Sequence, residues 1–277
     1  MNSATPVPGE PLVDLVPWYE RWERQQATYI PLREERFTVM LDTVEHIAGD
    51  APVVLDLLSG PGAISARVLK RFPRARVYAL DLDPVLMAIG KAAHGDAGGR
   101  LTWLEANVKD PDWVRVLPPV QFDAVLSTTA IHWLEAGDIV ELYRALAVHI
   151  RPGGVFMNGD QMRFPARDQV LRGLTEAMRS RHEQASQQAG GETWEHWWAE
   201  LRKLEPIGPL FEERDRRFRW RNIERERAIG STRDDANPRQ LVSSTYPIHH
   251  AALLDAGFSE VHQIWQFYDN RILAAVR

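Results

Sequence analysis

The chain has 277 residues, 44% of them hydrophobic and 26% charged, with a formal net charge of −5. That balance is ordinary for a globular protein and gives no general attraction to nucleic acid or to an anionic membrane. The absence of cysteine rules out disulfides, thiolate nucleophiles and cysteine-ligated metals. The N-terminal "MNSATPVPGEPLVDLVP" lacks a basic start and an unbroken apolar run, so no signal peptide is expected. No window approaches the roughly 18 apolar residues that spanning a bilayer requires, and the expected location is cytoplasmic.

Residues 10–48 read as helical, because "WYERWERQQATYI" and "LREERFTVMLDTVEHIAG" place apolar residues at three- and four-residue intervals. Pro31 divides them into two helices with a bend, and Gly49 is the expected stop. Alternating elements follow: strand "PVVLDLL", helix "AISARVLKRF", strand "ARVYALDL" and helix "PVLMAIGKAAH" with Pro84 near its first turn. Strands "RLTWLEAN" and "FDAVLSTT" come next, then helix "AGDIVELYRALAVHI" ended by "RPGG", and strand "GVFMNGD". Such alternation implies a parallel sheet with helices on both faces. Residues 161–247 are rich in charge and tryptophan without an obvious strand, and read as a largely helical insertion. The chain closes with a helix, "HHAALLDAGF", capped by Gly257, and two strands, "SEVHQIWQFYD" and "RILAAVR", joined by a turn at "DN".

An open parallel sheet binds its ligand at the carboxyl ends of its strands, near the point where strand order reverses. The turn Ser59-Gly60-Pro61-Gly62 follows the first strand and lies there. A dinucleotide fingerprint would place a third glycine where Ser65 stands and would use the turn's N–H groups on a pyrophosphate. Pro61 removes one such donor, and Asp56 just before the turn would repel a diphosphate. A cationic ligand turns that carboxylate into an asset, as S-adenosylmethionine carries an ammonium and a sulfonium and no phosphate. Asp81, at the end of "VYALD", can accept both hydrogens of a ribose diol.

With these features the chain resembles the class I S-adenosylmethionine-dependent methyltransferases. "VVLDLLSGPG", "VYALDLDP", "LEANVKD", "FDAVLSTTAIHWL" and "IRPGGVFMNGD" follow that family's order and spacing over 52–160. The tail "LLDAGFSEVHQIWQFYDNRILAAVR" resembles its last helix and antiparallel strand pair. The resemblance implies an α/β fold with a seven-stranded Rossmann-like sheet, mostly parallel with its last strand antiparallel, flanked by helices and bearing a mainly helical lid. It divides the chain into an N-terminal helical cap (1–50), a cofactor domain (51–160 and 248–277) and a substrate lid (161–247). It implies S-adenosyl-L-methionine as cofactor, with Asp56, Ser59, Gly60 and Gly62 lining the methionine part and Asp81 on the ribose hydroxyls. Leu82 would pack on the adenine face, and Asn107 and Val108 would meet the adenine edge, although many relatives carry Asp at the Asn107 position. Ser127 and Thr128 would offer a carbonyl or hydroxyl to the ammonium. Tyr29 and Arg33, four apart on one helix face, would close the pocket, with Arg33 pairing with the methionine carboxylate.

Methyl transfer is an in-line displacement, and a general base is needed only if the nucleophile is protonated at neutral pH. His132, in "IHWL" after the fourth strand, and Asp160, closing the fifth, are the candidate catalytic residues; Asp160 alternatively caps the following helix. His249 and His250 read as structural. Trp194, Trp197, Trp198 and Trp220 suit an apolar or aromatic small molecule if they face inward, and a packed core if they do not. Mixed charge in this region disfavours nucleic acid, and no metal cluster follows the fourth strand. The expected function is O-, N- or C-methylation of a small apolar or aromatic molecule in specialised metabolism. Alternatives are carboxymethyl transfer, cofactor cyclisation, a lyase-type reaction, or a non-catalytic binding module. Homodimer formation is left open.

Overall fold

The structure is a computed structural model and describes residues 13–219 and 245–277. Seven strands form one sheet in the order β3-β2-β1-β4-β5-β7-β6. They are β1 (Val53–Leu57), β2 (Arg76–Asp81), β3 (Leu101–Glu105), β4 (Phe122–Thr128), β5 (Ile150–Gln161), β6 (Glu260–Phe267) and β7 (Asn270–Val276). The first five pair in parallel; β7 runs antiparallel to both β5 and β6. The order reverses between β1 and β4, which opens a crevice at their carboxyl ends.

Alternating residues of the central strands feed two cores, as the two-residue period of a strand requires. On one face, α2 (Arg33–Ala48) and α3 (Ala63–Arg71) bring Phe37, Met40, Ile64 and Val68 onto Val54, Leu126 and Met157. On the other, α5 (Ala136–Ala147) and the late helix Tyr246–Asp255 bring Leu142, Tyr143 and Leu253 onto Leu55, Val125 and Phe156. Between them in sequence lies α4 (Pro84–His94), capped by the Asp83 carboxylate accepting from the Val85 and Leu86 N–H groups.

The expected bend at Pro31 separates α1 (Val16–Tyr29) from α2, and Leu32 takes a left-handed φ of 55° to turn the chain. Beyond β5 the described part of the insertion is helical: α6 (Gln169–Gln188), α7 (Trp194–Leu201) and α8 (Gly208–Arg217). The helix Tyr246–Asp255 is therefore α9. α7 packs against α1 through a third core in which Trp22 meets Trp194 and Trp197 at ring-centroid distances of 5.3 and 5.0 Å. Trp197 is fully buried and belongs to that core, so for this residue the structural role replaces the ligand-facing one. Trp220 lies outside the described residues.

Two sequence readings shift. "RPGG" lies inside β5, not before it, as an irregular stretch where pairing slips between Phe122 and Ala124. It is stitched to the sheet: Arg151 donates to Asp123 at 2.5 Å, and the Gly153 N–H donates to the Arg277 carbonyl at 2.7 Å. The last hairpin turns at Tyr268 and Asp269, with Asn270 already opening β7. Among the described residues, no helix is long and apolar enough to cross a membrane.

Candidate active site

At the reversal point lies a cavity of about 500 Å³. Its floor is the turn after β1. There the Gly60 N–H donates to the Asp81 side chain at 2.7 Å, the Gly62 N–H to the Ser59 carbonyl at 2.9 Å, and the Ser59 N–H to the Leu80 carbonyl at 2.9 Å. Pro61 has no N–H. The turn therefore spends these donors on itself and on the end of β2 and leaves none of the three for a pyrophosphate, in contrast to a dinucleotide-binding turn.

Ser59, Gly60, Asp81, Leu82, Asn107, Val108 and Thr128 all line the cavity. Asp81, 9% exposed, accepts from Gly60, Leu82 and Asp83 N–H groups at 2.7–2.8 Å. Burial nevertheless pushes its carboxyl up to about 6. The Ser59 hydroxyl is buried without a partner, as a group that awaits a ligand would be. Asn107 turns inward on its own loop: its side-chain oxygen accepts from the Lys109 N–H at 3.1 Å and its amide donates to Asp110 at 3.2 Å. One lone pair of that oxygen remains for an adenine amino group.

Three expected cofactor residues stand behind the wall. Asp56 accepts from the Ser65 N–H at 2.9 Å and hydroxyl at 2.7 Å, so it fastens the first turn of α3 instead of facing the cavity. This also explains the serine where a dinucleotide fingerprint has glycine. Burial pushes the Asp56 carboxyl up to about 7 against those two bonds. Gly62, at φ +83°, faces the Trp103 ring; a Cβ there would sit 2.9 Å from it. Ser127 is fully buried within β4.

Arg33 lines the cavity but is already paired. It grips Glu23 with two hydrogen bonds of 2.8 and 2.9 Å, and Arg67 shares the same carboxylate at 2.6 Å. Of the arginines that line the cavity, the one without a carboxylate partner among the described residues is Arg36, one turn later and 1% exposed. It donates to Asn270 at 2.9 Å, to Thr129 at 2.7 Å and to Thr128, while its Nε has no partner. Burial lowers its affinity for protons to about 10, against the pull of Asp160. Arg36 is thus the better placed residue for a methionine carboxylate. The sequence held a signal: Arg36 falls on the same helix stripe as the buried Met40 and Val44, where a charge needs a reason.

Tyr29 lines the cavity and its oxygen accepts the Trp194 N–H at 2.9 Å, which joins α1 to α7. Trp22, Trp194 and Trp198 complete an aromatic wall. α8 clamps the Leu82–Asp83 side of the cavity: Arg214 donates to Asp83 at 2.7 Å and lies 3.9 Å from the Trp198 ring centre, and Arg217 donates to the Leu82 carbonyl at 2.9 Å.

His132 stands on the wall facing this space, and Asp160 stands behind it, 1% exposed. Asp160 caps no helix. It accepts from the His132 ring Nδ1 at 2.8 Å and the His132 backbone N–H at 3.0 Å. Burial pushes the Asp160 carboxyl up, yet the His132 charge and hydrogen bonds hold it below the usual carboxylate range. His249 is buried against the Tyr143 hydroxyl at 2.7 Å, away from the cavity. Among the described residues no His, Asp and Glu cluster is placed to hold a metal ion.

Residues 54–154 match a family described as a methyltransferase domain. Over that stretch the chain is similar to methyltransferase domains. It is 29% identical over 135 residues to the trans-aconitate 2-methyltransferase of Azoarcus sp. (strain BH72), covering 48% of each chain. It is 27% identical over 143 residues to the malonyl-[acyl-carrier protein] O-methyltransferase of Xylella fastidiosa (strain M23), covering 50% of this chain and 45% of that one. The chain thus matches about half the length of these curated relatives. In fold it is similar to an O-methyltransferase family protein from Burkholderia thailandensis, with a TM-score of 0.51 at 18% identity over 94% of this chain and 68% of the other. The resemblance in sequence implies S-adenosylmethionine as the cofactor. The partnerless Ser59 hydroxyl, the Asp81 carboxylate and the partnerless Arg36 Nε fit its hydroxyls and charged amino-acid end.

Proposed function

We propose that this methyltransferase acts on a small molecule whose accepting atom carries a proton, and that His132 removes it. The cofactor, when bound, supplies a methyl group activated by a sulfonium leaving group. Asp160 holds His132 as the tautomer protonated at Nδ1, which leaves Nε2 as the basic nitrogen for a ligand in the cavity. Asp81 would accept the ribose diol, Arg36 would hold the methionine carboxylate, and Leu82, Asn107 and Val108 would border the adenine. Trp22, Trp194 and Trp198 would exclude water from the transfer.

The observation that carries this reading is the 2.8 Å contact between His132 and the buried Asp160. A base oriented by a carboxylate has work to do on a phenol, alcohol or amine. A carboxylate acceptor, which the name trans-aconitate of one relative specifies, is already deprotonated at neutral pH and needs no base. Incubation with methyl-labelled cofactor and a panel of phenols, amines and carboxylic acids tests the proposal. Label in a phenol or amine product, lost in His132→Ala, supports it. Label confined to carboxylic esters and retained in His132→Ala would overturn the base role, and a product without label would exclude methyl transfer.

A further inference from the structure

A second cavity, of about 290 Å³, lies between the α1–α2 connection, α6 and the β6–β7 turn. It shares Tyr29, Gln161, Arg179 and Asn270 with the first, so the two spaces meet along that wall. It contains neither His132 nor Trp133 and is therefore set apart from the transfer end.

Its charges do not balance. Arg179 donates to Asp269 at 3.1 Å, and Asp269 is 6% exposed. Arg163 and Arg271, which stand outside the cavity lining, also lie within reach of the Asp269 charge, and neither has a carboxylate within ion-pair distance among the described residues. Arg271 donates to the Gln263 side chain at 2.7 Å, stacks 5.2 Å from the Phe164 ring centre, and keeps a buried Nε without a partner. Arg172 and Glu176, which also face Arg163, offset one another. Arg181 adds a cation at the rim, and His182 beside it contacts the Ala27 carbonyl at 3.1 Å. Three guanidinia thus share the charge of one carboxylate, and Arg179 is the one of them that lines the cavity; the surplus of positive charge favours the arrival of a second anion beside it. Arg179 gives Asp269 one donor and keeps the others of its planar fork, which match a carboxylate. The amides of Gln161 and Asn270 stand beside it on the shared wall.

We infer that this cavity is a subsite for a carboxylate on the acceptor, separate from the atom that receives the methyl group. The inference rests on the methyltransferase reading and narrows its substrate class: a molecule with a protonated acceptor atom at one end and an acid at the other. Arg179 is its specificity-determining residue.

Calorimetry on protein loaded with S-adenosylhomocysteine tests it, because the loaded product fills the Arg36 site. The probes are benzoate and benzamide, which match in shape and differ in charge. Benzoate is expected to bind about tenfold tighter, a difference of about 1.4 kcal/mol. Arg179→Gln is expected to abolish that preference. Asp269→Asn, which releases Arg179 from its partner, is expected to enlarge it. Opposite shifts from two touching residues do not come from damage to the fold. Equal affinities, no benzoate binding, or a preference that survives Arg179→Gln would overturn the subsite. Failure to load S-adenosylhomocysteine would instead overturn the cofactor reading itself, so the two failures are distinct.

Discussion

Asp160 and His132 are joined twice, through the ring at 2.8 Å and through the backbone at 3.0 Å, although 28 positions separate them in sequence. The backbone bond fixes the loop after β4 against the end of β5, and the ring bond fixes the tautomer. A carboxylate that orients an imidazole in this way is the arrangement the proposed general base needs.

His132→Ala is therefore expected to lower kcat by about 100- to 10,000-fold, the usual worth of general-base catalysis. Asp160→Asn is expected to lower it too, since an amide can present an N–H to the imidazole and favour the wrong tautomer. Turnover and S-adenosylhomocysteine affinity measured side by side check this. A loss confined to affinity would contradict the assignment.

Arg36→Gln is expected to weaken S-adenosylhomocysteine by about 10- to 100-fold, the worth of a charge-assisted hydrogen bond of about 1.5–3 kcal/mol. Binding of 5′-methylthioadenosine, which lacks the amino-acid carboxylate, is expected to hold. Arg33→Gln is expected to act on stability instead, because Arg33 is committed to Glu23 and stacked 4.9 Å from the Phe37 ring centre. Calorimetry with both nucleosides, together with chemical denaturation, separates the two arginines.

The raised carboxyls at Asp81 and Asp56 set opposite pH dependences for binding and stability. A ribose diol needs ionised Asp81, so cofactor affinity is expected to be full above about pH 6 and to fall below it. For stability the sign reverses. A buried aspartate with a raised pKa binds its proton more tightly folded than unfolded, so its contribution is present at low pH and is lost as pH rises toward about 7 for Asp56. Asp56→Asn removes that dependence, and its melting temperature is expected to rise relative to wild type as pH increases from about 4 to about 7. A constant difference across that range would contradict the burial argument.

Gly90→Ala tests the packing beneath the cofactor turn. A Cβ on Gly90 would stand 2.3 Å from the Trp103 ring and 2.7 Å from the Pro61 carbonyl oxygen. Overpacking of this kind costs about 1–3 kcal/mol, which urea denaturation would report, and it would displace the turn that holds Ser59 and Gly60. Unchanged stability and unchanged cofactor binding would show that the loop yields freely.

The strands and the cofactor turn were legible because each is specified locally: an apolar run, a glycine break and a carboxylate at the next strand end. Asp81 could be placed at the strand end from spacing, Leu82 followed from the family resemblance, and both line the cavity. Asp56 could not, because its partner, Ser65, captures it only once α3 begins. The choice between Arg33 and Arg36 also escaped the sequence. Both lie on α2, and what separates them is Glu23, brought to Arg33 by the packing of α1. The aromatic residues of α7 divide for the same reason: Trp197 turns into the core with α1, whereas Trp194 and Trp198 face the cavity. The residues that line the second cavity come from four separate stretches of chain, so no motif announces them.

The central claim is that the turn after β1 serves a cationic adenosyl amino acid and not a dinucleotide. Calorimetric titration of the purified protein with S-adenosylhomocysteine and with NADH tests it most directly. The account predicts saturable binding of S-adenosylhomocysteine, weakened by Asp81→Ala, and no binding of NADH. Binding of NADH with indifference to S-adenosylhomocysteine would contradict it.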